Sequence, residues 1–131
     1  MEKYFILKRR FIMHFRQVTL MVEKLEESIE FYETIIEMTI SRRIKTGTGE
    51  VVFLASGKGE TEIELVCMPQ TPKLEGKGVS LCFETEDLDA KHELVQSKGL
   101  NPSEIKTPDA KSRYFWVYDP NGISIQLRQE L

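Results

Sequence analysis

Residues 17–26 read QVTLMVEKLE, and 63 positions further on residues 80–89 read SLCFETEDLD. In both stretches polar and apolar residues alternate, as in a strand with one buried face, and an acidic helix start follows. With a shift of 62, residues 52–55 match residues 114–117, and residues 63–65 match residues 125–127. The chain therefore predicts two similar halves, each built as a strand, a helix and further strands.

Patterns on either side of the repeated stretches extend each half into a βαβββ module. In the first half Leu25, Ile29 and Tyr32 recur at helical spacing, and alternating segments follow. Prolines and glycines between residues 69 and 78 are typical of a linker. We predict an α+β fold with an N-terminal extension (1–12) and a single domain (13–131), which comprises module one (14–68), the linker (69–78) and module two (79–131).

Residues 119–122, DPNG, predict the turn of the last hairpin. Proline and then asparagine suit a type I turn, and glycine suits the left-handed position of a three-residue loop. Such a loop places Trp116 opposite Gln126, and directly opposed residues share a sheet face. By alternation we expect one face of this strand to carry Tyr114, Trp116 and Tyr118.

Bulk composition excludes several classes of function. The 131 residues suit one domain, and a net charge of −3 with a pI near 5.5 disfavours nucleic acid as a partner. No apolar run approaches the roughly 20 residues that span a bilayer, so we expect no membrane partner. Two cysteines form no disulfide framework, which favours a reducing cytoplasm. We interpret Cys82 as a small buried hydrophobic residue rather than a reactive thiol.

The duplicated pattern resembles the vicinal oxygen chelate superfamily, which includes glyoxalase I, bleomycin-resistance proteins and extradiol dioxygenases. The resemblance covers residues 14–129. It depends on residues 18–20 ahead of a helix with Ser28, Phe31 and Tyr32, on residues 83–89, and on DPNG ahead of residues 125–127. It implies that the sheets of the two modules curl into a cup. Unpaired sheet edges, and the shared sites of many relatives, lead us to expect a homodimer.

The resemblance also identifies where such enzymes hold a divalent ion, on the first and last strands of each module. Those positions match Gln17, Glu64, Ser80 and Gln126. At these four positions, in the same order, the family has histidine or glutamine, glutamate, histidine, and glutamate. Only Glu64 therefore matches strongly. We expect His14 and His92 to lie away from these positions. Because imidazole is missing, we expect no metal and no other cofactor; zinc, nickel or manganese would be the ion if one bound.

The predicted inner face is polar and aromatic, which favours ligand binding. Aromatic walls would stack on a planar or cationic compound, while amides, hydroxyls and carboxylates would orient it. The alternative is a polar face that is merely solvated. Our first hypothesis is a metal-free, small-molecule-binding protein of the glyoxalase/bleomycin-resistance type. The candidate ligand-binding residues are Gln17, Thr19, Glu62, Ser80, Cys82, Tyr114, Trp116, Tyr118 and Gln126.

The second hypothesis is a lactoylglutathione lyase-like enzyme, a lyase or isomerase that uses Glu64 with or without a divalent metal. In a closed, dry cup a lone carboxylate could act as a general base. Otherwise Glu64 would be hydrogen-bonded to Gln17 and Gln126 and would do no chemistry. Glu64 is therefore the candidate catalytic residue, and metal content separates the two hypotheses.

Overall fold

The computed structural model describes residues 13–72 and 75–131, so the predicted N-terminal extension lies outside the described residues. The first half contains β1 (Gln17–Met21), α1 (Leu25–Glu30), a π-helical continuation (Phe31–Ile35), β2 (Thr39–Lys45), β3 (Glu50–Ala55) and β4 (Glu62–Cys67). The second half contains β5 (Ser80–Glu84), α2 (Leu88–Ser97), β6 (Ser112–Tyr118) and β7 (Ser124–Glu130). This is the predicted α+β architecture; the exact module boundaries remain predictions.

The described strands form two separate sheets of mixed direction. One sheet has the order β1-β4-β3-β2, and the other has the order β5-β7-β6. The first strand of each module runs parallel to the last strand of the same module, and the remaining pairs are antiparallel. In module two an isolated bridge between Lys106 and Tyr114 lies beside β6, where module one has a full strand.

Each sheet buries its apolar face, as the period-two pattern requires. Leu20, Val52 and Leu65 are buried in the first sheet, and Phe115 and Ile125 are buried in the second. Both sets belong to one hydrophobic cluster with the helices. Burial of this face fixes which side of each strand is left for polar residues. Within the described residues, no helix is both long enough and apolar enough to cross a membrane.

The helix ends follow local chemistry. Of the two acidic residues that could cap α2, Asp87 and Asp89, the structure has Asp87 as the N-cap: its Oδ1 accepts from the Ala90 amide at 3.0 Å. Gly99 ends the helix with a φ of 73°. The first helix differs from the prediction because its last turn is π-helical. It closes with Glu37 at a φ of 65°, and the Met38 amide donates to the Tyr32 carbonyl.

The last hairpin has the predicted register. Trp116 pairs with Gln126, and Gly122 adopts a φ of 86°. The predicted face assignment is thereby confirmed: one side of this hairpin is apolar and buried, and the other carries the aromatic and amide side chains.

Hydrogen bonds connect the hairpin turn of module two to the helix of module one. The Tyr32 hydroxyl donates to Asp119 Oδ2 at 2.7 Å, and Asn121 Nδ2 donates to Ser28 Oγ at 3.0 Å. Both Tyr32 and Ser28 are fully buried, and Asp119 is nearly so. The residues on which the family resemblance depends therefore meet in space, where they join the two modules.

Candidate functional site

The polar face of the first sheet is centred on Glu64 in β4. Thr19 lies directly beside Glu64 in the pairing of β1 with β4. Glu64 Oε1 accepts from Gln17 Nε2 at 2.8 Å and from Thr19 Oγ1 at 2.5 Å. No partner of Oε2 is found among the described residues. The predicted bond to Gln17 is thus present, and one carboxylate oxygen remains available to a ligand.

Glu62, two residues before Glu64 on the same face of β4, is engaged from β2, which lies beyond β3 in the sheet. Its Oε2 accepts from Ser41 Oγ at 2.6 Å, and its Oε1 lies 3.4 Å from Arg42 Nη2. The Arg42 guanidinium lies 3.8 Å from the centre of the Phe53 ring, and Phe53 pairs with Glu64 on the same face. Sequence reasoning missed Ser41, Arg42 and Phe53. Arg42 reaches this face only because the register between β2 and β3 shifts after Ile40. No sequence signal marks that register shift.

The polar face of the second sheet carries the aromatic residues. The rings of Tyr114 and Trp116 meet edge to face with centroids 6.1 Å apart, and the Arg128 guanidinium lies 5.9 Å from the Tyr114 ring. Both rings are half-buried. The Trp116 amide donates to Ser103 Oγ at 2.9 Å, which ties this strand to the preceding segment. A planar group could stack on this surface.

Cys82 and Gln126 are paired on the same face. Cys82 Sγ donates to Gln126 Oε1 at 3.1 Å. The expectation that Cys82 is buried is wrong, because β5 is an edge strand and leaves the residue exposed. Partial burial of the thiol still raises the pKa of Cys82, so the thiol stays protonated at neutral pH. Ser80 and Tyr118 lie exposed near the ends of this face.

The candidate residues form two groups rather than one cluster. Gln17, Thr19, Glu62 and Glu64 lie on the first sheet, whereas the rest lie on the second. Among the described residues, no side-chain hydrogen bond joins the two groups, so the predicted bond between Glu64 and Gln126 is wrong. Gln126 instead lies beside Cys82, its pairing partner in β5. The described residues of one chain therefore show two separate polar faces, on sheets that share no strand pairing.

A divalent metal does not fit the residues at the family's ligand positions. No cluster of three histidine, cysteine or acidic residues capable of holding a metal occurs within residues 13–72 and 75–131. Gln17 turns its NH₂ group towards Glu64, so the amide nitrogen, which is no metal ligand, occupies the space between them. The donors that remain are one carboxylate, an amide and a hydroxyl, a weak set for zinc or nickel.

Neither histidine hydrogen-bonds to Glu64 among the described residues, although His14 lines a pocket with Ser41 and Glu62. His14 is exposed ahead of β1. His92 Nε2 lies 2.8 Å from the Ser103 carbonyl oxygen, and its ring packs edge to face on Phe115 with centroids 4.8 Å apart. His92 therefore has a structural role between α2 and β6.

The fold defines a class of α+β protein built from two repeated modules. In each module the sheet has a buried apolar face and a polar opposite face. A family model for the Glyoxalase/Bleomycin resistance protein/Dioxygenase superfamily matches residues 14–127. The chain belongs to this superfamily, which is the vicinal oxygen chelate group that the sequence motifs suggest.

Individual proteins are also similar to this chain. The chain is 34% identical over 118 residues to the uncharacterized protein YwbC of Bacillus subtilis (strain 168). The alignment covers 84% of this chain and 92% of YwbC. It is similar to the structure of a glyoxalase family protein from Bacillus cereus, with a TM-score of 0.78 and 21% identity over 92% of this chain and 95% of that chain. It is also similar to TnmS3, an antibiotic binding protein from Streptomyces sp. CB03234, with a TM-score of 0.73 and 24% identity over 92% and 98% of the two chains.

Proposed function

We propose that the protein binds a small planar molecule without a metal, using the polar faces of its two sheets. The observation that carries the proposal is the composition around Glu64. Gln17 and Thr19 occupy one oxygen of this carboxylate, and no cluster of three histidine, cysteine or acidic residues that could hold a metal occurs among the described residues. Hydrogen-bonding groups and stacking surfaces remain, and such groups orient ligands.

The aromatic pair on the second sheet supports a planar ligand. Tyr114 and Trp116 present edge-to-face rings beside the hydrogen-bonded Cys82 and Gln126. An apolar surface next to an amide suits a compound with both a ring and a polar group. The description of TnmS3 as an antibiotic binding protein is consistent with this use of the fold; at 24% identity it supports the fold alone.

We further propose that two copies share the site as a homodimer. The strands β1 and β5 are both sheet edges, and exposed apolar side chains lie at or next to them, including Phe15, Met21 and Val79. In the part of the chain that the structure describes, these edges have no second partner strand, and such edges favour pairing with another strand. If β1 of one copy paired with β5 of the other, the faces of Glu64 and of Trp116 would line one surface. The unpaired Cys67 and Cys82 are consistent with a reducing, cytoplasmic location.

A lactoylglutathione lyase-like activity is the second candidate, and one observation favours it. Glu64 occupies the family's acidic position, and its Oε2 has no partner among the described residues, so it could accept a proton from a substrate. This activity would require turnover that depends on Glu64, with or without a divalent ion.

Elemental analysis and assays on the same preparation separate the two candidates. We expect less than stoichiometric nickel, zinc or manganese after incubation with each ion, and no turnover of the methylglyoxal–glutathione hemithioacetal. We expect 2-naphthoate to quench the fluorescence of Trp116, the single tryptophan, in a saturable way. Calorimetry should show that Trp116→Leu weakens ligand binding about fivefold, because stacking on an aromatic residue contributes about 1 kcal/mol.

Two outcomes would contradict the binding proposal. One ion per chain, with turnover that Glu64→Gln abolishes, would establish the enzyme instead. Absence of any saturable binding by planar aromatic compounds would remove the ligand-binding function itself.

A further inference from the structure

A β-bulge in β2 decides which face Arg42 occupies. Ile40 pairs with Leu54 on the buried face of the sheet, and the pairing register shifts before Arg42, which pairs with Phe53. In a regular strand Arg42 would share the buried face with Ile40, two residues earlier. The extra residue, Ser41, moves Arg42 to the polar face instead. Bulges often re-aim side chains next to binding sites.

The re-aimed arginine is held in place from two sides. Its guanidinium lies 3.8 Å from the centre of the Phe53 ring, and Nη2 lies 3.4 Å from Glu62 Oε1. The Phe53 side chain is only 6% exposed although it lies on the polar face. Arg42 thus covers an aromatic ring and is restrained by an ion pair before any ligand arrives. Such pre-organisation lowers the entropy cost of binding.

The outer side of this guanidinium remains accessible. The Arg42 side chain is 47% exposed. A guanidinium has five N–H donors in a planar fork, and the described residues supply one acceptor, Glu62. The nearby carboxylates accept bonds from Ser41, Gln17 and Thr19, which fix their positions without removing their charge. The remaining donors suit a carboxylate, and the flat face suits a stacked ring.

We propose that Arg42 and Phe53 form a stacking platform that selects planar aromatic ligands bearing a carboxylate. The proposal rests on the small-molecule-binding function and adds the ligand class. It assigns Arg42 as the specificity-determining residue. The aromatic ring of the ligand stacks on the Arg42 guanidinium, and the carboxylate of the ligand accepts hydrogen bonds from the Arg42 N–H groups. The platform belongs to the same face as Glu64, because Phe53 and Glu64 are paired neighbours.

The chain offers a matched control in the next residue. Arg43 lies on the opposite side of β2, where it pairs with Glu26 and Glu50. Arg43→Gln removes the same charge as Arg42→Gln from the same strand. A difference between the two variants therefore reports on the platform and not on net charge. Arg42→Lys keeps the charge and removes the planar fork.

The test compares three ligands that share one ring system: 2-naphthoate, 2-naphthamide and 2-naphthylmethylammonium. Calorimetric titration of the full chain should give 2-naphthoate the highest affinity. Arg42→Gln should weaken the binding of 2-naphthoate at least about tenfold, since a charge-assisted hydrogen bond typically contributes this much. The difference in affinity between 2-naphthoate and 2-naphthamide should become smaller. Arg42→Lys should restore only part of the loss, and Arg43→Gln should bind like the wild type. Unfolding midpoints would verify that each variant is folded.

The possible failures are distinguishable. If the amide or the ammonium compound binds as well as 2-naphthoate, or Arg42→Gln leaves the order of affinities unchanged, the platform is overturned while the binding function stands. If none of the three compounds binds the wild-type protein, both the platform and the proposed function are overturned.

Discussion

Asp119 is a buried carboxylate with several hydrogen-bond donors around it. Its Oδ1 accepts from the Asn121 and Ile123 amides, both at 2.8 Å, and its Oδ2 accepts from the Tyr32 hydroxyl at 2.7 Å. Asn121 Nδ2 adds a further bond at 3.2 Å. The buried charge is tolerated because each oxygen has donors. One residue therefore holds its own turn and the helix of the other module together.

Replacing Tyr32 with phenylalanine tests this junction. We expect Tyr32→Phe to lower the free energy of unfolding by about 1–3 kcal/mol, because Asp119 Oδ2 loses a buried donor. Urea denaturation at neutral pH would measure the change. Tyr118→Phe is the matched control, since Tyr118 is 67% exposed, and should be close to neutral. Equal effects of the two substitutions would contradict a junction role for Tyr32.

The same pair predicts a dependence on alkaline pH. Burial raises the pKa of Tyr32 above its ordinary value of 10.0, and the adjacent Asp119 charge raises it further. The folded state therefore keeps a proton that the unfolded state releases above about pH 10, so this contribution to stability is complete below that pH and is lost as pH rises. The stability difference between wild type and Tyr32→Phe should narrow above pH 10. A constant difference through this range would argue against the assignment.

At the level of elements, the DPNG hairpin determines which side chains reach the polar face of the second sheet. The Asp119 amide donates to the Ile123 carbonyl at 2.9 Å, and the Gly122 amide donates to the Asp119 carbonyl at 3.1 Å. Gly122 accepts a φ of 86° that residues with a β-carbon adopt at a cost. Because a shift of one residue would turn Trp116 into the core, the turn controls the site as well as the fold.

Gly122→Ala measures how strongly the turn depends on this conformation. Open space surrounds a β-carbon built at Gly122, so the cost is conformational, and we expect about 1–2 kcal/mol lower stability. Gly47→Ala, also in open space but without a positive φ, should change stability by about 0.5 kcal/mol or less. Thermal or urea unfolding would compare the two variants. A neutral Gly122→Ala would show that the turn tolerates another geometry.

On the scale of the whole molecule, the two polar faces belong to separate sheets. Each sheet ends in an edge strand, β1 or β5, that no further strand pairs within residues 13–72 and 75–131. The edges β1 and β5 are the first strands of the two modules. Val79, immediately before β5, is 46% exposed, as is Ile44 on the opposite edge of the first sheet. The proposed homodimer uses the β1 and β5 edges and leaves the β2 edge free. A substitution at Val79 can therefore be compared with the same substitution at Ile44.

Val79→Lys should shift the protein from dimer to monomer and raise the dissociation constant of the dimer about tenfold or more, because a desolvated lysine at the interface is costly. Ile44→Lys should leave the dimer unchanged. Light scattering after size exclusion, over a range of concentrations, would report both. A monomeric wild-type protein, or equal effects of the two variants, would contradict the proposed pairing.

Local residue order was sufficient to predict the architecture. The repeat, the alternation in each strand and the DPNG turn each depend on neighbours in the chain, so the order of helices and strands and the register of the last hairpin follow from them. The family resemblance placed Gln17 and Glu64 on the first and last strands of one module, and a hydrogen bond between them was one of two alternatives; the structure contains that bond. The sequence also identified the family through these elements.

Only the tertiary structure decided how the polar residues group. The separation of Glu64 from Gln126, the exposure of Cys82 and the bulge that carries Arg42 to the polar face all depend on how strands pair and where sheets end. The physical reason is that strand alternation assigns a residue to a face, whereas sheet order and register, set by contacts far apart in sequence, determine which faces meet.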